Sequence, residues 1–190
     1  QVHRYLDQGA DLEICRTDPV ALSLDAIRQA RRPDRPIILA ETGAVNDCHT
    51  GYFRYCRTDY RGTIFHDTTY PAFFAGAAGT GQIWLWTDYV DSKNLWVGFK
   101  PFADLVTGIQ LDAENFQQVD LSTDKVWILG LKGRQHLLLW LRNKADRWDH
   151  VLRDEREPPQ IESITLDLKV LGVKSGMVRL FSPFQEPLGK

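Results

Sequence analysis

A chain of 190 residues has room for one domain or for parts of two. Its 23 Lys and Arg against 25 Asp and Glu give a formal net charge of −2, which excludes a strong electrostatic pull toward nucleic acid or anionic membrane. At 43% hydrophobic and 25% charged, the composition argues against disorder, and no apolar run approaches the roughly 18–20 residues that span a bilayer. Six Trp are many for this length, so either a large core or a sugar-facing surface is expected. Cys15, Cys48 and Cys56 are an odd number at no metal-ligand spacing. Cys48 and Cys56 pair only if the loop between them closes, which leaves the redox compartment open. A start on Gln1 rather than Met leaves room for a true N-terminus, and any targeting signal, upstream.

In chain order, QVHRYL alternates Val2, Tyr5 and Leu6 with polar residues and reads as a short strand. Asp18 and Pro19 then start a helix: Asp18 caps free N–H groups, and Pro19 has no N–H to leave unpaired. Its apolar stripe runs through Val20, Leu22, Leu24, Ile27 and Ala30 and stops before Pro33. The unbroken apolar run over 37–40 predicts a strand buried on both faces in a parallel sheet. Residues 42–66 show no period and read as a long loop. A helix is expected over 67–79, capped by Asp67, and the segment GQIWLWTDYV reads as a second buried strand, followed by a helix over 101–109. This alternation is an α/β signature. Beyond Phe116, the runs KVWILGL, HLLLWLR, SITLDLKVL and GMVRLFSP, separated by turn residues, predict an antiparallel sandwich.

Glu41 is the leading candidate for chemistry. It closes an apolar strand and is followed by Thr42-Gly43, the position where parallel-barrel enzymes hold catalytic groups; a solvated first loop residue is the competing reading. On GQIWLWTDYV, a two-residue period sets Trp84, Trp86 and Asp88 on one side. An indole packs on the apolar face of a pyranose and a carboxylate accepts from its hydroxyls, whereas Trp84 also suits a core. His3 and Tyr5 share a face of the first strand. His49, Cys48 and Cys56 lack zinc spacing, and His66-Asp67 suits a helix cap better than catalysis. GAAGTG follows a helix rather than a strand, the reverse of a phosphate-binding order.

RPIILAETGA and GAAGTGQIWLWTDYV together resemble the last two strands of the (β/α)8-barrel retaining glycoside hydrolases, the clan of cellulases and β-mannanases. There, the seventh strand ends in the nucleophilic Glu and the eighth in a Trp beneath the sugar. The resemblance implies Glu41 as nucleophile and Trp86 as the sugar platform, with His3, Tyr5, Asp88 and Tyr89 as further substrate-binding residues; QVHRY is similar to the sixth strand. It divides the chain into a C-terminal portion of a TIM barrel over 1–115 and a truncated β-sandwich accessory domain over 116–190, an α/β plus all-β chain. The clan's acid/base Glu ends the fourth strand, usually in an Asn-Glu pair, and the nearest match, Glu114-Asn115, has the reverse order and another place. The acid is thus expected from an upstream barrel half.

The implied activity is cleavage of β-linked glycans by double displacement. It needs no cofactor or metal, because carboxylates stabilise the oxocarbenium charge. The implied partners are an oligo- or polysaccharide and the upstream barrel half, or self-association through exposed strand edges, with neither nucleic acid nor membrane. A secreted or periplasmic location is favoured for the parent. The alternative is a non-catalytic carbohydrate-binding or structural module derived from such a barrel, in which Trp127, Trp140 and Trp148 matter.

Overall fold

The computed structural model describes residues 2–3, 18–32, 34–44 and 53–184. Strand β1, Val2–His3, pairs in parallel with β2, Leu39–Glu41. Between them in sequence lies α1, Pro19–Ala30, begun as the local chemistry dictates. The Asp18 carboxylate accepts from the N–H groups of Val20 at 2.8 Å and Ala21 at 3.2 Å, and Pro19 stands first in the helix.

The next helix, α2 (Thr63–Phe74), begins four residues before the expected position, and its cap is Asp59, not Asp67. Gly62 adopts φ +77° to make the sharp entry, which lets the Asp59 carboxylate accept from Thr63 N–H at 2.9 Å and Ile64 N–H at 2.7 Å. All residues of α2 are buried, as expected of a helix covered on every side. One side meets β2 and α1, where Ala72 and Ala75 pack with Leu39, Ala26 and Ile27. Another carries Tyr70, Phe73 and Phe74 against Leu129, Leu131, Leu138 and Trp140 of the C-terminal sheet. Within the expected loop over 42–66, Arg54–Arg57 form a turn of 3-10 helix.

The segment read as a second buried strand is something else. Gln82 N–H donates to Leu39 O, and Ile83 makes a single parallel bridge to Thr42, after which Trp86–Asp91 coil into one turn of π-helix. Strand β2 is also not buried on both faces: of its three residues only Leu39 is buried, and Ile38 just before it is 50% exposed. Gly81 marks the tightest approach of this region to α2. Its N–H donates to Thr69 O at 2.8 Å, and a Cβ placed there would lie 2.5 Å from the Thr68 carbonyl oxygen. Gly81→Ala should therefore lower stability by about 1–3 kcal/mol through overpacking; an unchanged urea midpoint would show that the backbone yields at no cost.

Helices α3 (Phe99–Val106) and α4 (Leu111–Glu114) lead to β3 (Gln117–Asp120), β4 (Val126–Lys132) and β5 (Leu137–Asn143). These three strands form an antiparallel sheet in the order β3-β4-β5. Glu114 clamps the β4–β5 turn by accepting from the N–H groups of Gln135 and His136, and those contacts, that from Gln135 foremost, hold its carboxyl down to about 2. The chain is thus an α/β mixture: helices, a short parallel pair and a small antiparallel sheet.

The sandwich expected after Phe116 is corrected to this one sheet. Among the described residues, SITLDLKVL and GMVRLFSP form no strand; a 3-10 turn at Leu168–Leu171 is their regular element. Alternation gives a segment the capacity for a strand but supplies no neighbour for its N–H and C=O groups. Pro158 and Pro159 have no N–H to give to a ladder, although Pro159 O accepts from Asn143 Nδ2 at the end of β5 at 2.9 Å, and Met177 is 84% exposed. No helix among the described residues is long and apolar enough to cross a membrane.

Candidate functional site

The parallel strands bring the sequence motifs to one end of the fold. In register, Val2 faces Leu39 and His3 faces Glu41, so β2 advances two residues while β1 advances one. Such an irregularity breaks the side-chain alternation and re-aims the residues beyond it. The buried Leu39, packed on the helices, consequently does not dictate the side on which Glu41 lies. Glu41 ends β2 and is half-buried. On the other flank of β2, Thr42 N–H donates to Gln82 O at 2.9 Å and Trp84 N–H to Thr42 O at 2.8 Å. His3, Glu41 and Trp84 thus stand on three adjacent parallel segments, at the ends where the chain leaves them, and Trp86 comes two residues later. Tyr5, Cys15, Cys48 and His49 lie outside the described residues.

Trp84, Trp86 and Asp88 do not form a common strand face. The π turn carries Trp86, 55% exposed, with Thr87 and Asp88 on its open side, while Tyr89 and Val90 are fully buried. Trp84 is 37% exposed rather than core. Tyr89, which the resemblance sets against substrate, points inward. Its hydroxyl donates to Asp59 Oδ2 at 2.6 Å and accepts from Phe65 N–H at 3.0 Å. Burial pushes Asp59 up, against the pull of the Tyr89 hydroxyl and the Ile64 and Thr63 N–H groups. Burial, and then the Asp59 charge, hold the Tyr89 phenol well above its ordinary value, so it keeps the proton that it donates.

Two groups of residues escaped the sequence reading. Asp59 is one; Asp followed three residues later by a helix-entry Gly was its signal. The other is a buried charge network. Arg142 on β5 reaches Asp67 of α2 with Nε to Oδ1 at 2.7 Å and Nη2 to Oδ2 at 3.4 Å, and Asp146 Oδ2 with Nη1 at 2.5 Å. His66, beside it, accepts the Trp140 indole N–H at 2.9 Å. Trp140 and His66 are 74 residues apart in sequence, and Arg142 and Asp67 are 75 apart, beyond any local pattern. Among the Trp residues of the alternative reading, Trp140 and Trp148 are buried, and Trp127 is half-buried with Lys144 Nζ 4.1 Å from its ring centroid. They form no exposed platform.

A cleft of about 330 Å³ opens between residues 60–62, 93–95 and 183–184, and none of Glu41, Trp86, Asp88 and Tyr89 lines it. The adjoining α2 N–H groups are already taken by Asp59, Tyr89 and Gly62 O. Compared with known proteins, the chain matches no family model, no curated protein and no solved structure.

Proposed function

We propose that this chain is the C-terminal part of a (β/α)8-barrel retaining glycoside hydrolase acting on β-linked glycans. The observation that carries the reading is the parallel order of three segments, which puts His3 in register with Glu41 and sends Trp84 and Trp86 out at the same end. Catalytic groups of barrel enzymes gather at that end of the strands. Glu41 attacks the anomeric carbon as the glycosidic C–O bond breaks, and an acid from upstream strands gives its proton to the leaving oxygen. Water, deprotonated by that same group, then displaces Glu41 from the glycosyl-enzyme. Trp86 stacks on the sugar ring, Asp88 accepts from its hydroxyls, and His3 and Tyr5 orient Glu41.

The test is turnover of aryl β-glycosides by the protein expressed with its upstream sequence. Glu41→Gln, nearly isosteric, should lower kcat by about 10⁴-fold or more with the melting temperature unchanged. Equal rates in both proteins would remove Glu41 from the nucleophile's role. The 190-residue chain by itself, which lacks the acid, should show no turnover.

A further inference from the structure

We infer that the Asp59–Tyr89 hydrogen bond is a positioning clamp that fixes how the π turn displays Trp86 and Asp88. Its consequence for sugar binding rests on the function proposed above.

The π turn over Trp86–Asp91 is a one-turn element. At its entry, Tyr89 N–H reaches Leu85 O at 3.1 Å and Val90 N–H reaches the same oxygen at 3.5 Å. Such turns are rare and concentrate at functional sites. A side chain ties this turn to the interior of the fold. Tyr89 is wholly enclosed, and its hydroxyl joins Asp59 Oδ2 and the Phe65 N–H, both at the entry of α2. Asp59 is itself fixed by Thr63 and Ile64 N–H. A chain of short polar contacts therefore runs from the most buried helix of the fold to the turn, and Trp86 and Asp88 lie three residues and one residue before its anchor. Burial makes these bonds stiff, because neither partner has water as a substitute. Preorganising an exposed indole in this way lowers the ordering cost of binding. Asp59 and Tyr89 touch no substrate and act through Trp86.

The experiment compares the 190-residue wild type with Tyr89→Phe, Asp59→Asn and Trp86→Phe, at a temperature where near-UV circular dichroism shows each folded. The first readout is the heteronuclear NOE of the Trp86 indole Nε1–H, assigned by its loss in Trp86→Phe. Tyr89→Phe should lower that NOE while the Trp140 and Trp148 indoles stay rigid. Asp59→Asn, which can still accept from Tyr89, should fall between. An equally rigid Trp86 in Tyr89→Phe would overturn the clamp whether or not sugar binds. The second readout is affinity for cellotetraose, expected to weaken about 5-fold or more in Tyr89→Phe. Binding unaffected by Trp86→Phe would overturn the proposed function and leave the NOE to decide the clamp. Weakening by Trp86→Phe but not by Tyr89→Phe would overturn the clamp alone.

Discussion

Replacing Arg142 by Met should cost about 3–5 kcal/mol, a large share of the roughly 5–15 kcal/mol that holds an ordinary domain together. The guanidinium is almost wholly buried between Asp67 and Asp146, with Nη2 also donating to the Asp146 carbonyl at 2.6 Å. Burial works against its charge, but the two carboxylates outweigh that and hold its proton more tightly than usual. Without Arg142, Asp67 is left unpaired inside the seam between α2 and β5, where burial already pushes its carboxyl up to about 7 and loss of the cation pushes it further, so it must take up a proton; Arg61 still reaches Asp146 at 3.3 Å. Met keeps the length of the side chain and removes the charge, so the loss reports the buried carboxyl left without its partner. Urea unfolding at neutral pH measures it. Replacing Asp67 and Asp146 by Leu in the same protein should restore much of the loss, since a well-packed apolar group often equals a buried ion pair. A loss below about 1 kcal/mol for Arg142→Met would mean that water reaches the site.

Acidification below about pH 6.5 should weaken the fold through His66. The Trp140 indole N–H occupies Nε2 of the ring, which assigns the imidazole proton to Nδ1. Burial first, then the charges of Arg142 and Arg61, hold its pKa well below the ordinary value. The unfolded chain therefore takes up a proton at this residue that the folded chain refuses. Stability from this source is complete above about pH 6.5 and is lost as pH falls, by up to about 1.4 kcal/mol per unit, until the folded pKa is reached. His66→Asn retains an acceptor for Trp140 and does not titrate. Urea midpoints between about pH 7 and pH 5 should fall more steeply in the wild type than in this variant. Parallel lines would show that the folded protein protonates His66 as readily as the unfolded one.

What was legible in the sequence is what local chemistry decides. The Asp18-Pro19 start of α1 depends on groups two and three residues apart and stands as expected. The runs KVWILGL and HLLLWLR became β4 and β5 because each contains its own alternation and they are joined by a tight turn. Asp67 was misjudged because its partner lies on β5, and the cap that it should have supplied comes from Asp59 across a left-handed Gly62. GQIWLWTDYV was read as a buried strand, yet Trp84, Trp86, Thr87 and Asp88 are exposed and the chain coils from Trp86 on; a short apolar run does not by itself distinguish a strand from a helical turn. Trp86 opens a π turn where a strand was expected, whereas Glu41 was legible as a strand-end residue. The register irregularity beside Glu41 and the clamp beneath Trp86 were not, since both arise from segments that meet only in the fold.

Cys56 gives the seam beneath the π turn an internal clock. The thiol is free and 1% exposed, enclosed with Phe53, Ile64, Tyr89 and Trp148, and burial followed by the Asp59 charge pushes its pKa up. A thiol that is both protonated and enclosed does not meet an alkylating reagent in the closed state. Every modification event at this sulfur therefore records a moment when the aromatic shell has parted. When closing outpaces labelling, the rate counts the fraction of molecules open rather than how often they open. The breathing of this seam is thus written into the chemistry of a single atom, without any attached probe.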